Sequence, residues 1–414
     1  MWLEASRRIR ARWHYVRFFF LSEWPAAIGM AGVIIGFPAF GSAGFGLSFF
    51  AAVAGLFLAL LSFGREIQEI VIRRSRYQFV KVMTFPIAKL KVRYRNQGIK
   101  FIEIPNRGTV LISERVNKVL QEQLIDITLN DRPYRLPHTL RTLAPQAFQL
   151  SSKNSVVFNG RLLSMASDII HSQNSGRSAV TLRTTHYFDS LCSNELCSYK
   201  VIHRDTSEEW GIYEKEVCNP KTGKLRSFQD SRLSNHIGIS TLAFTRDDKI
   251  VVCVQSRNNV PSKVLYAPSG SGTIPPGDYQ QGDSLQRLLI RAMERELFEE
   301  TGIQASDVEQ TKVIGFGRWL ERGAKPEFYG VTRLSITARE FEERHVKLSE
   351  RLYTSQVKTS EIDLDGIRTS LLSGTSIVHS SYCEDDLRNS GSVPLLVGLH
   401  LAAVEYSQPE RNDS

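Results

Sequence analysis

The stretch RELFEETGI, from Arg295 to Ile303, concentrates carboxylates on a short piece of chain. Glu296, Glu299 and Glu300 are three and four residues apart, so on a helix their side chains would project side by side. Such a cluster is costly unless a cation neutralises it. A hard divalent ion with oxygen ligands, Mg²⁺ or Mn²⁺, suits these residues. The metal would in turn bind phosphate oxygens, and a glutamate could position an attacking water.

The residues before this stretch predict the helix that must position it. Apolar side chains recur at three- and four-residue spacing and define one buried face: Leu285, Leu288, Leu289 and Ala292. Ser284 is a suitable N-cap, and Gly302 is placed to end the helix. Arg291 and Arg295 lie on the same helix, where they could neutralise and orient the carboxylates.

RELFEETGI resembles the second half of the Nudix box, in which Arg-Glu-aliphatic-x-Glu-Glu-x-Gly-aliphatic supplies the metal site of pyrophosphohydrolases. The sequences on either side of the box agree with this resemblance because they are typical of strands. They are IGISTLAF and KIVVCVQS before the box, and VIGFGRWL and FYGVTRLSI after it. The resemblance implies a mixed sheet sandwiched by helices. It implies that Arg295 orients Glu296, that Arg295, Glu296 and Glu299 are catalytic, and that Glu296, Glu299 and Glu300 hold Mg²⁺ or Mn²⁺.

The first half of the box departs from the family's pattern. Arg287 stands where the family has a glutamate, and Gln281 stands where it has a glycine. One catalytic carboxylate is therefore absent or displaced, with Asp278 and Asp283 as the candidates. Binding of a phosphate ligand is consequently better supported than hydrolysis.

A Gly/Pro loop, PSGSGTIPPGDYQQGD, takes the place of that first half. Backbone N–H groups of such a loop can cradle phosphates. We therefore expect Gly270, Gly272 and Gly277 to bind the ligand.

The chain begins with features of a membrane protein. Its 414 residues are enough for two or three domains, and no charged residue occurs from Trp24 to Gly64. This run divides into two predicted transmembrane helices, 25–41 and 45–63, joined by a tight hairpin. Five arginines precede the first span and four follow the second, up to Arg76, so both termini are expected in the cytoplasm and the protein in the inner membrane. The alternative is a signal peptide cleaved near Ala39.

We accordingly predict four segments. Residues 1–76 form the basic N-terminus and the hairpin, 77–234 a cytoplasmic middle region, 235–405 a Nudix-like domain and 406–414 a polar tail. The predicted fold class is a two-helix transmembrane hairpin followed by a cytoplasmic α/β (α+β) region. In the middle region KFIEI and 178–188 are predicted strands and 111–125 a predicted helix. Arg183, His186 and Tyr187 are either pocket residues or ordinary strand residues.

The net charge and the cysteine content indicate what kind of partner and what redox environment the protein has. The net charge is +9, and more than half of it lies beside the apolar run, which favours lipid headgroups over a nucleic acid duplex as the partner. The five cysteines are odd in number and irregularly spaced, which indicates a reduced environment. Four residues could be considered as zinc ligands: Cys192, Cys197, Cys218 and His186. The alternative is that the cysteines are free, partly buried thiols.

The combination of a hairpin and a divergent Nudix box resembles the SMODS-associated Nudix proteins, which are effectors of bacterial CBASS antiphage systems. The resemblance implies that a cognate synthase makes a cyclic nucleotide, that the Nudix-like region binds it, and that the protein then self-associates as a homo-oligomer and damages the lipid bilayer. Two alternatives stay open: a membrane-tethered Nudix hydrolase of nucleoside diphosphate derivatives, and an anchored scaffold with an inactive Nudix fold.

Overall fold

The computed structural model describes residues 14, 18, 68, 72, 75–82, 85–151, 158–171, 177–256, 264–343 and 356–405. Both predicted transmembrane spans, 25–41 and 45–63, and the predicted tail, 406–414, lie outside these residues. Within the described ranges no helix has both the length and the apolar character needed to cross a bilayer. The longest, Leu285–Thr301, has 17 residues, against the ~20 that a span requires. The predicted transmembrane hairpin in the fold class and the predicted inner-membrane location are corrected on this finding.

Strands and short helices alternate along the chain. Up to residue 217 the elements are β1 (Tyr77–Lys81), α1 (Ile87–Arg93), β2 (Ile99–Ile104), β3 (Gly108–Ser113), α2 (Glu114–Glu122), β4 (Ile125–Asn130), α3 (His138–Arg141), α4 (Ala144–Ser151), β5 (Arg161–Met165), β6 (Ile170–His171), β7 (Ser178–His186), α5 (Tyr187–Leu191), β8 (Tyr199–His203), β9 (Glu209–Gly211) and a π-helical turn (Tyr213–Val217). From residue 238 they are β10 (Gly238–Phe244), β11 (Ile250–Ser256), β12 (Val264–Ala267), β13 (Gly270–Thr273), α6 (Leu285–Thr301), β14 (Val308–Trp319), β15 (Lys325–Leu334), α7 (Ala338–Glu342), β16 (Gln356–Ser360), α8 (Leu364–Leu372), α9 (Asp385–Ser390) and α10 (Val393–Glu405).

A mixed sheet of nine strands organises the described part of the chain. Its order is β12-β11-β10-β15-β14-β3-β2, while β13 pairs with β10 and β16 with β11. The β10–β15 pair is parallel, whereas β14 runs antiparallel to both β15 and β3. Because β2 and β3 come from the predicted middle region, that region and the predicted Nudix-like segment share one sheet.

Helices cover both faces of this sheet. On one face the apolar side of α6, including Leu288 and Leu289, packs on Phe316 and Phe328 of β14 and β15. On the other face α10 packs on β3, β10 and β15; Leu396 is one of its buried residues. The helix α10 (VPLLVGLHLAAVE) is strongly apolar because its residues through Ala403 are almost all enclosed by the sheet and neighbouring helices. The result is an α/β sandwich.

Two smaller sheets complete the region before residue 235. One has the order β1-β8-β9, and the other has the order β4-β7-β5 with β6 paired to β7. Arg183 of β7 stacks over the ring of Tyr134 at 4.9 Å. Cys192 and Cys197 are free buried thiols in an apolar cluster, and burial raises the pKa of each well above its usual value.

The predicted helix over 111–125 is shorter in the structure, where α2 covers Glu114–Glu122. Residues 111–113 instead end β3, whose Leu111 pairs with both Phe101 of β2 and Arg318 of β14. Pairing on both sides overrides the helical spacing of the apolar residues. The strand predicted over 178–188 is correct for Ser178–His186, after which the chain turns into α5.

Candidate functional site

The helix that carries RELFEETGI begins and ends where the sequence predicts. Ser284 caps α6 by accepting a hydrogen bond at Oγ from the Arg287 backbone N–H at 3.3 Å. Gly302 ends it with a φ of 75°, a left-handed conformation that glycine adopts without steric cost. The buried face fixes the rotation of the helix about its axis, so the glutamates at 296, 299 and 300 lie along its partly exposed side.

Arg295 lies at the centre of the polar contacts on α6. Its Nη1 donates to Glu296 Oε1 at 3.0 Å and to Glu299 Oε2 at 3.1 Å. Its Nε and Nη2 donate to the Asp278 carboxylate at 3.0–3.1 Å, and Nη2 also donates to the Thr273 carbonyl at 2.9 Å. Burial works against the charge of Arg295, but its hydrogen bond to Asp278 and the negative charges of the neighbouring carboxylates outweigh burial and raise its pKa. One guanidinium thus orients three carboxylates.

Of the two motif glutamates that bond to Arg295, Glu296 is the more enclosed. Its side chain is 15% exposed, against 47% for Glu299. Burial raises the pKa of Glu296 from 4.5 to about 7, although the charge of Arg295 lowers it. A carboxyl group that titrates near neutral pH can accept a proton from water or a hydroxyl group, which is what a general base requires.

The three predicted metal ligands do not meet at one point. Glu296 and Glu299 direct oxygens at the same nitrogen of Arg295, whereas Glu300 Oε2 accepts from the Ser271 backbone N–H at 3.1 Å. Among the residues that the structure describes, no three His, Cys, Asp or Glu side chains form a group that could hold a metal ion. Glu296 and Glu299 are neighbouring carboxylates and do fit Mg²⁺, because this ion is commonly held by one or two carboxylates together with substrate phosphates.

The two aspartates suggested as substitutes for the missing glutamate bind arginines. Asp278 holds Arg295, and Asp283 accepts from Arg291 Nη1 at 2.7 Å. The hydrogen bond from Arg291 lowers the pKa of Asp283. Arg287, which stands at the family's glutamate position, is exposed on the first turn of α6. These aspartates therefore stabilise the arginines in the structure, and their role in catalysis stays a prediction.

The glycines of the Gly/Pro loop have different surroundings. Part of the loop forms the strand β13, which pairs with β10 in the register Gly238↔Thr273 to Thr241↔Gly270. A Cβ on Gly270 would lie 2.6 Å from the Leu297 backbone nitrogen, and one on Gly272 would overlap the Glu296 carboxylate. At Gly277 a Cβ would meet nothing within 4 Å. Gly270 and Gly272 thus allow β13 to approach α6 closely; ligand binding by all three stays a prediction.

A second charged group, on a strand of the sheet, was not predicted from the sequence. Lys325 and Glu327 of β15 form an ion pair, and both are almost fully buried. His236 is also buried, and burial together with the charge of Lys325 lowers its pKa well below the usual value. The sequence does contain a signal for the ion pair. Lys325 and Glu327 are opposite charges two residues apart in a largely apolar strand, and residues with this spacing share one face of a strand.

No protein-family model matches the chain, and no curated protein matches it. Among solved structures, the chain is similar to Tm1382, named as a candidate Nudix hydrolase, at 14% identity, with 34% of this chain and 63% of that chain covered and a TM-score of 0.22. It is similar to the MutT protein from Methanosarcina mazei Go1 at 16% identity, with 40% and 92% covered and a TM-score of 0.21.

The match spans less than two thirds of the length of Tm1382. The fold is described by the geometry of this chain itself: a mixed sheet lies between α6 and α10, and the carboxylates of RELFEETGI lie on the helix α6, which packs against β13.

Proposed function

We propose that the chain binds a nucleotide derivative through its phosphates at the carboxylate face of α6, and that it serves as a sensor of a cyclic nucleotide second messenger in a CBASS antiphage system. The observation that carries the binding proposal is the contact set of Arg295. Its guanidinium bonds to one oxygen of each carboxylate, Glu296 Oε1 and Glu299 Oε2, and Asp278 holds it there. The sensor role is supported by the resemblance described above.

A divalent ion would complete this site. Glu296 and Glu299 would hold Mg²⁺ or Mn²⁺, and the bound ion would neutralise phosphate charge and polarise a phosphoryl group. Arg295 keeps the two carboxylates side by side through one oxygen of each, and Asp278 keeps Arg295 in place. Arg295 supplies one positive charge against the carboxylates of Glu296, Glu299 and Asp278, so without a further cation this face would repel a phosphate. Binding is therefore expected to depend on the metal.

Binding is favoured over turnover by the residues around this site. An exposed arginine, Arg287, occupies the position of a family carboxylate, and Asp278 and Asp283 are each bonded to an arginine. The third helix carboxylate, Glu300, bonds to the Ser271 backbone and faces away from the other two. These contacts support a site that retains its ligand.

A second candidate function is metal-dependent hydrolysis of nucleoside diphosphate derivatives. The observation that favours it is Glu296, whose pKa of about 7 suits a general base at neutral pH. The two candidates use the same residues and differ in whether a product is formed.

The test is titration of the purified full chain with a panel of cyclic dinucleotides, cyclic trinucleotides and nucleoside diphosphate derivatives, with Mg²⁺ and with a chelator. We expect binding with Mg²⁺ that the chelator abolishes, and unchanged nucleotide by mass spectrometry. Glu299→Gln should weaken binding about tenfold, because it removes a charged ligand of the ion. Glu309→Gln, at an exposed carboxylate of β14, is the matched control and should bind normally.

Two results would count against this proposal. Steady release of a phosphorylated product, lost in Glu296→Gln, would establish the hydrolase instead. Failure of every nucleotide to bind in the presence of either metal would exclude both candidates.

A further inference from the structure

A cavity of about 220 Å³ lies in the region before residue 235, separate from α6. Its walls come from β1, α3, β9 and the π-helical turn, through residues that include Tyr77, His138, Trp210, Lys215 and Glu216. No residue of the RELFEETGI site lines it. Single π-helical turns are rare and are frequently found at functional sites, which directs attention to the turn Tyr213–Val217.

Glu216 gives this cavity an unsatisfied acceptor. The residue is 2% exposed, and its Oε1 lies 3.6 Å from Arg232 Nη1. Its Oε2 is buried and has no hydrogen-bond partner within the described ranges. A buried carboxylate oxygen without a donor is costly, and an ionised carboxylate can only accept hydrogen bonds. A ligand that meets the Glu216 carboxylate in this cavity must therefore donate an N–H or O–H to it.

Aromatic rings form the neighbouring wall. Trp210 and Tyr77 are half-buried and contact edge to face, with ring centroids 6.0 Å apart and an interplanar angle of 85°. Lys215 Nζ lies 5.7 Å from the Trp210 centroid. An aromatic face binds either a cation or a flat ring. Lys215 and Arg232 already place two positive charges beside Glu216, so an added cation would be repelled and a neutral flat ring is favoured.

We propose that this cavity binds an amino-substituted heteroaromatic base of the adenine or cytosine type. The ring lies against Trp210 in place of the Lys215 ammonium group, and the exocyclic amino group donates to the Glu216 carboxylate. The volume of about 220 Å³ falls below the roughly 300–1,000 Å³ of sites for drug-sized ligands, so it suits one base and not a whole dinucleotide. The site is distinct from the phosphate site proposed on α6 and does not depend on it.

Matched nucleosides test the amino contact. The full chain is titrated calorimetrically, in a chelator, with adenosine against inosine and with cytidine against uridine. The deaminated partner of each pair places a carbonyl oxygen where the amino group was, so an acceptor would face the Glu216 carboxylate. We expect the better-binding amino nucleoside to exceed its deaminated partner by about tenfold or more.

Variants of the cavity test the assigned residues. Glu216→Gln keeps the shape but removes the charge, and it should weaken binding of the amino nucleoside about tenfold. Glu214→Gln, an exposed position on the same turn, should leave binding unchanged. Trp210→Phe keeps an aromatic face and should retain most of the affinity, whereas Trp210→Leu should lose it. Thermal melting of each variant establishes that it is folded.

Several outcomes would overturn the assignment. One is that the amino and deaminated nucleosides bind equally well, and another is that neither amino nucleoside binds at all. Full affinity in folded Glu216→Gln or in folded Trp210→Leu would overturn it as well. Tighter binding of the guanidinium compound agmatine would assign the cavity to organic cations instead. Loss of nucleoside binding in Glu299→Gln would place the nucleoside on α6, so failure here is distinguishable from failure of the proposed function.

Discussion

At the residue scale, the contacts of Arg295 explain how α6 tolerates its crowded glutamates. Its guanidinium bonds to Glu296, Glu299 and Asp278, so the negative charges of this face are shared around one cation. The sequence already predicts that Arg295 orients Glu296. Asp278 is 17 residues away along the chain, and its bond to Arg295 depends on how the turn Pro276–Asp278 folds back on α6.

Glu296 should make the stability of the protein depend on pH. Its pKa is about 7 in the folded protein and near 4.5 in the unfolded chain, so between these pH values the folded state binds more protons. The stabilisation is complete below pH ~4.5 and is lost as pH rises through ~7. Relative to Glu296→Gln, the wild type should therefore lose up to roughly 3 kcal/mol of unfolding free energy over this range.

Urea unfolding of both proteins at several pH values measures this difference. If the two unfolding free energies change in parallel from pH 4.5 to 7.5, the raised pKa of Glu296 is contradicted.

At the element scale, the contact between α6 and β13 depends on two glycines. The caps and the apolar face of α6 could be predicted because they are encoded by neighbouring residues. β13 could not, because GSGT has little intrinsic strand preference and forms a strand by pairing with β10. Gly270 and Gly272 permit this pairing while α6 lies directly above them.

Gly270→Ala should destabilise the protein by about 1–3 kcal/mol, because its Cβ would lie 2.6 Å from the Leu297 backbone and backbone atoms move less easily than a side chain. Gly277→Ala is the matched control in the same loop. Nothing lies within 4 Å of its Cβ, so we expect a change between zero and about 1 kcal/mol of stabilisation. The midpoint of urea unfolding measures both. Equal midpoints for the two variants would refute the close approach of β13 to α6.

At the scale of the whole molecule, the nine-stranded sheet joins the region before residue 235 to the region after it. β3 pairs with Gly317–Trp319 of β14, and Asn117 of α2 accepts from the Phe316 backbone N–H at 2.8 Å. Arg107, between β2 and β3, donates to the Arg388 carbonyl at 2.9 Å. The proposed boundary at 234/235 divides the sequence, but these contacts cross it.

A fragment containing only residues 235–414 should consequently fold poorly. It would lose β2, β3 and α2, and it would expose the edge of β14 together with apolar surface of Ile314. Exposed strand edges of this kind associate with other chains. Light scattering after size exclusion should show aggregates for the fragment, whereas the full chain should show a single species with a cooperative melt. A monomeric fragment that melts like the full chain would contradict this expectation.

The sequence by itself determined the helix of RELFEETGI, its caps, most of the surrounding strands and the orienting role expected of Arg295. These features depend on residues within a few positions of one another, where periodicity, capping and motif spacing act directly. Only the tertiary structure decided that Glu300 faces Ser271 and not its neighbours, that Asp278 holds Arg295, and that Glu216 lines a cavity beside Trp210. Each of these depends on groups that are brought together by strand pairing and packing between distant segments, and a local pattern carries no information about that pairing.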